Sequence, residues 1–296
     1  MKQYITDLKE GQSVNSPFVL KEKRLIDYRE KAGKYLMLTL SDSTGDIGAV
    51  VWDNAEALAE DCTAGRVIMV MGEVGSFRDN PQIRVSHLWP AAASDYEPGD
   101  FVASSTRPVA EMQGELEGLV ETMTAGPLKD LTRIFITSSA YEKFCQAPAA
   151  MIHHHNYTGG LLEHTLSVMR LCDRIASAYE HLDRDLLLWG ALFHDIGKLQ
   201  EMEFVPGIQY TEEGSMLGHI VIGVQMVDEM IRQLPGFAPE LKTKLLHLIV
   251  SHHGEYEWQS PKKPQFTEAK VLHLADMMDA EIFKFTRDAT NGVKRR

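Results

Sequence analysis

At 296 residues, 44% apolar and 24% charged, the chain has the composition of a globular protein of about two domains, large enough to bury a core without staples. A net charge of −12 excludes non-specific nucleic-acid binding by the whole surface but leaves room for a local site. The start shows no apolar leader, no apolar run approaches the roughly 18 residues of a membrane span, and Cys62, Cys145 and Cys172 form neither a disulfide framework nor a CxxC pair; a reduced, cytoplasmic protein is expected.

Residues 1–90 carry a β pattern. Strands are expected over 14–25, 34–40, 46–52, 66–74 and 82–88, with a turn at Ser41 to Gly45 and a short helix over 54–62. Five strands with a helix between the third and fourth is the order of an OB-fold barrel. Residues 91–108, rich in Ala, Ser and Pro, read as a linker. Beyond it the apolar period changes from 2 to 3.6, and helices are expected near 109–124, 127–137, 140–146, 160–180, 184–200, 217–234, 238–253 and 267–288. The predicted architecture is a small all-β OB-fold barrel (1–90) followed by an all-α helical bundle (109–296, with the metal core in 153–288).

The most informative motif is His194-Asp195, set in the otherwise apolar run Leu186 to Lys198. A desolvated carboxylate must be paired, hydrogen-bonded or bound to a metal. His164 shares a helix face with Val168, Leu171 and Ile175. His219 opens a helical run, His252-His253 close another, and Asp276 lies in an apolar setting. Five imidazoles and two carboxylates at apolar or end-of-helix positions suit Mn, Fe, Co, Ni or Zn, and the absence of nearby thiols argues against a structural Zn–Cys site. Two metals bridged by one carboxylate can activate a water and clamp a phosphoryl group. Asp195 is the natural bridge, and Lys198 could neutralise charge developing on the phosphate.

The helical half resembles the HD superfamily of metal-dependent phosphohydrolases through His164 in Gly159-Gly-Leu-Leu-Glu-His164, the run His194-Asp195-Ile-Gly-Lys198, and Asp276. The resemblance implies that these are the core metal ligands, that His219 and one or both of His252 and His253 complete a binuclear site, and that Asp195 and Lys198 are catalytic. An OB-like domain ahead of an HD domain is similar to the YhaM-type 3′–5′ exoribonucleases. The likeness extends through His153 to Gly160, Tyr210 to Gly214, Gly218-His219-Ile220 and Ser251 to Gly254. It implies two divalent ions (Mn, Co or Fe rather than Zn or Mg). It also implies removal of 3′ nucleotides from single-stranded RNA, with DNA a second candidate, by a metal-activated hydroxide. A homo-oligomer fits the same family.

The OB barrel would then hold the strand. Lys21, Lys23, Arg24, Lys34, Arg78 and Arg84 could supply charge, and Tyr35, Trp52 and Phe77 stacking surfaces. Met37 and Gly48 stand where stronger base-contacting residues would be expected. His154, His155 and Asn156 are expected at the substrate pocket, and His273, three residues before Asp276, is either an outer support of the metal site or a core residue. Two other functions fit: an HD phosphohydrolase of small or cyclic nucleotides whose OB barrel serves assembly, and a single-strand-binding scaffold with an inactive HD domain.

Overall fold

The computed structural model describes residues 2–28, 32–78, 80–101, 105–150, 157–204 and 208–290. The chain divides into two compact units, one formed by residues 1–103 with 204–209, the other by 104–203 with 210–296.

In the first unit, apolar residues on the inward face of the strands close a five-stranded barrel. The strands are β1 (Ser13–Asp27), β2 (Lys34–Asp42), β3 (Gly45–Val51), β4 (Val67–Phe77) and β5 (Asn80–Pro90), in the order β1-β2-β3-β5-β4. All pairings are antiparallel except β3 with β5. Helix α1 (Ala55–Asp61) falls between β3 and β4, as the strand order predicts for an OB-fold. β1 serves both sides of the closure. Residues 13–19 pair with β4 and residues 19–27 with β2, and an irregularity between Leu20 and Glu22 lets the strand bend between the two partners. Inside lie Phe18, Leu20, Leu36, Leu38, Leu40, Ile68, Val70 and Ile83, all buried. Residues 91–101, expected within a linker, pack on this unit instead: Phe101 is buried against Val19 and Val67, and Asp100 accepts a hydrogen bond from the Tyr4 hydroxyl at 2.8 Å.

The second unit is helical: α2 (Val109–Glu121), α3 (Pro127–Ile136), α4 (Ser139–Gln146), α5 (Gly160–Ala178), α6 (Arg184–Phe193), α7 (Lys198–Glu201), α8 (Glu212–Arg232), α9 (Pro239–Ser251) and α10 (Thr267–Thr290). A two-residue strand pair, β6 (Met202–Glu203) with β7 (Gln209–Tyr210), lies between α7 and α8. α6 is apolar all round and buried from Leu186 to Phe193, so it is the central helix of the bundle. Its first turn is capped by the Asp183 carboxylate, which accepts from Leu186 N at 3.0 Å.

Two elements differ from the sequence expectation. The helix expected over 184–200 is broken at 194–197, where Ile196 N bonds to Phe193 O, Lys198 N to Asp195 O and Leu199 N to Ile196 O, each one residue tighter than the α ladder. The helix expected from 217 starts at Glu212, capped by the Thr211 hydroxyl accepting from Gly214 N at 2.8 Å, and kinks at Gly218, with φ 71° and ψ 159°. No helix among the described residues is long and apolar enough to cross a membrane.

Candidate metal centre and nucleic-acid face

Four helices and the broken turn after α6 converge on Asp195. His164 comes from α5, His194 and Asp195 from the turn, His219 from just after the kink in α8, His252 and His253 from the end of α9, and Asp276 from α10. Two glycines allow this. A Cβ at Gly197 would lie 1.9 Å from His219 O, so only glycine lets α8 approach the turn. Gly218 holds a backbone conformation that is essentially restricted to glycine.

The two Asp195 oxygens face different imidazoles. Oδ2 lies 3.6 Å from His164 Nε2 and 3.3 Å from His194 Nε2. Oδ1 lies 3.6 Å from His219 Nε2 and 3.7 Å from His252 Nε2. Asp276 Oδ1 adds to the first group at 3.2 Å from His164 Nε2, and His253 joins the second. Donors that share an ion at about 2.1 Å stand roughly 3.0–3.4 Å apart, close to these spacings.

The tautomers point the same way. Nδ1 of His194 donates to Ala191 O at 2.8 Å, that of His252 to Ile249 O at 2.7 Å, and that of His253 to Trp258 O at 2.7 Å. A carbonyl only accepts, so each ring keeps its Nε2 lone pair for the centre. His164 Nδ1 contacts Asp279 Oδ2 at 2.7 Å, and His219 Nδ1 contacts Glu201 Oε1 at 3.1 Å. Nε2 of His219 and of His252 is buried without a hydrogen-bond partner among the described residues. The donor set therefore fits divalent cations.

Electrostatics agree. Burial works against charge on Asp195, but Lys198, with Nζ 2.6 Å from Oδ2, and the neighbouring imidazoles hold its carboxyl well below the usual range. Burial likewise opposes charge on Asp276, and the hydrogen bond to His164 holds its carboxyl low. Burial works against charge on His164, yet the hydrogen bonds to Asp276 and Asp279 raise it to about 10. His252 is pushed well below its ordinary value by burial and by His253 and His194, and stays neutral.

Sequence reasoning did not single out Asp279, which orients His164, or Glu201, which grips both Nδ1 and the backbone N–H of His219. Asp279 was within reach, because it follows Asp276 by three residues on one helix face. His273 Nδ1 donates to His252 O at 2.8 Å. His153, His154, His155 and Asn156 lie outside the described residues.

On the barrel, Tyr35 and Trp52 come together with ring centroids 5.1 Å apart, and Tyr28, not anticipated, stacks on Trp52 at 6.1 Å. Trp52 is 47% exposed. Phe77 is exposed with the Arg78 guanidinium over its ring, but the β3–β5 register puts it at the other end of β3 from Trp52. Between them Arg24, Met37, Val50 and Arg84 form one cross-strand row. Arg24 also meets Glu22 at the exposed surface, and the lysines are engaged within the barrel: Lys21 with Asp46, Lys34 with Glu56, and Lys23 with the Ala59 and Cys62 carbonyls after α1.

The HD domain family model matches residues 161–281, and an OB-fold nucleic acid binding domain model matches residues 20–91. A protein named 3′–5′ exoribonuclease YhaM from Bacillus velezensis is 34% identical over 94% of this chain and 88% of its own length. The chain belongs to the YhaM family. Proteins of the same name from Listeria monocytogenes (31% identical, 95% of this chain and 90% of the relative) and Bacillus subtilis (34% identical, 84% and 79%) are similarly close.

Proposed function

We propose that the chain is a metal-dependent 3′–5′ exoribonuclease that hydrolyses phosphodiester bonds of single-stranded RNA, with single-stranded DNA as a second substrate class. The observation that carries the hydrolytic chemistry is the Asp195 carboxylate, with one oxygen toward each of two imidazole groups whose Nε2 lone pairs point inward. Direction and substrate are supported by the names of the relatives. His164, His194, Asp195 and Asp276 would hold one ion, and Asp195, His219, His252 and His253 the other. Imidazole and carboxylate donors without thiolates suit Mn, Co or Fe. Bound there, the ions supply Lewis acidity and activate a water at neutral pH.

The chain's own groups do the rest. Asp195 joins the two halves of the site. Lys198, beside Asp195, balances charge building on the scissile phosphate and its leaving 3′ oxygen. Glu201, Asp279 and the Ala191, Ile249 and Trp258 carbonyls fix the rings so that their lone pairs need no reorganisation. Tyr28, Tyr35 and Trp52 give bases a stacking surface, and Arg24 and Arg84 give the backbone charge beside it.

Linear and circular forms of one single-stranded RNA, incubated with Mn²⁺, test this reading. An exonuclease shortens the linear form and spares the circle; cuts in the circle would contradict it. Attack on neither would favour hydrolysis of small or cyclic nucleotides.

A further inference from the structure

We infer that the cavity beside the His219–His253 edge of the metal centre seats the 3′-terminal nucleoside, with Tyr210 as the stacking platform for its base and Gln259 as its hydrogen-bonding contact. This rests on the exonuclease reading. One cavity lies beside the centre and a second lies at it. One, of about 440 Å³, runs from Lys198, His219 and His253 to Tyr210, Leu217 and Gln259. The other, of about 240 Å³, includes Asp195, His252 and Asp276 in its lining and is the metal centre itself. Lys198 and His253 line both, so a phosphate held between them has the larger cavity on one side. Small-molecule pockets run from about 300 to 1,000 Å³, a range that admits the larger cavity and excludes the smaller.

The larger cavity has the chemistry of a nucleoside subsite. Its rim at the metal centre carries the Lys198 ammonium and the His219 and His253 imidazoles, with the Glu201 carboxylate tied to His219, and so offers the phosphate a cation and ring nitrogens. Its far wall is apolar, with Met202, Leu217, Val221 and Pro261. Tyr210 is 53% exposed there, and an exposed ring over an apolar wall accepts any base face. Gln259 has a left-handed backbone, φ 65° and ψ 21°, which is uncommon for a residue with a Cβ. Its side-chain amide has no hydrogen-bond partner among the described residues and can both donate and accept toward a ribose or base edge. The Gly218 kink links the subsite to the centre, because it sets His219 against Asp195 while placing Leu217 and Val221 on the cavity wall.

The test is binding of 5′-AMP and 5′-UMP to the manganese-loaded full chain, for wild type, Tyr210→Ala, Tyr210→Phe and Gln259→Ala, with manganese content measured on each. Tyr210→Ala should weaken both nucleotides by about five- to hundredfold, the range of one lost base stack. Tyr210→Phe should restore binding, Gln259→Ala should weaken it, and every variant should keep its manganese. On single-stranded RNA, Tyr210→Ala should raise KM more than it lowers kcat. Unchanged nucleotide affinity in both alanine variants, or no nucleotide binding by wild type at millimolar concentration, overturns the subsite while leaving the exonuclease reading intact. Nucleotide binding through Tyr210 in a wild type that shortens no RNA supports the subsite and overturns the exonuclease reading.

Discussion

At the scale of single residues, the metal centre depends on which ring nitrogen of each histidine is engaged. Glu201 lies outside the cluster of ligand atoms, yet it holds His219 through two contacts. Replacing it by Gln keeps the shape but lets the ring choose its tautomer. Glu201→Gln should therefore weaken the ion on the His219 side by about 10- to 100-fold and leave the His164 side loaded. Metal titration followed by elemental analysis reads this as a fall from two tight ions to one; two tight ions would refute it. The ligands themselves were legible because His and Asp in apolar runs are costly without partners. Glu201 and Tyr28 were not: a Glu at the end of a helix and a Tyr at the end of a strand look like ordinary surface residues until the fold brings His219 and Trp52 beside them. On the barrel, Trp52→Ala should weaken single-strand binding by about five- to hundredfold, measured by fluorescence anisotropy. Unchanged affinity would move the strand elsewhere on the barrel.

At the scale of elements, the strands were legible because one buried face imposes strict alternation, and their order with α1 specified the barrel. The breaks in the helices were not. Tightening by one residue after Phe193 leaves the apolar run continuous, so the period carries on through a turn that aims Asp195 at both imidazole groups. The start of α8 was hidden because the polar run Thr211 to Ser215 with Gly214 carries no apolar period, although Thr211 caps a helix there and Gly218 bends it without ending it. The kink makes a specific prediction. Gly218→Ala forces a side chain into a backbone region reserved for glycine, costing about 1–3 kcal/mol and withdrawing His219 from Asp195. Thermal melting and metal content should both fall. A variant with wild-type stability and two ions would show that the bend is not needed.

At the scale of the whole molecule, proton and ion compete for one site. In the ion-free chain the protonated His164 ring, lying between Asp276 and Asp279, contributes stability that is full below its ordinary value of 6.5 and is lost as pH rises through about 10. Loading an ion near pH 8 must therefore expel this proton, about one per chain. Calorimetry in buffers of differing ionisation enthalpy measures it, and no buffer dependence would contradict the pairing. The central claim is that a strand is shortened from its 3′ end by the centre built on Asp195. Its most direct test is a time course on single-stranded RNA labelled at the 3′ end, and on the same RNA labelled at the 5′ end, with Mn²⁺ and with wild type beside Asp195→Ala. The account predicts immediate release of labelled mononucleotide from the 3′ label, a shrinking ladder from the 5′ label, and loss of both in Asp195→Ala with strand binding retained. Mononucleotide release first from the 5′ label, or undiminished shortening by Asp195→Ala, would contradict it.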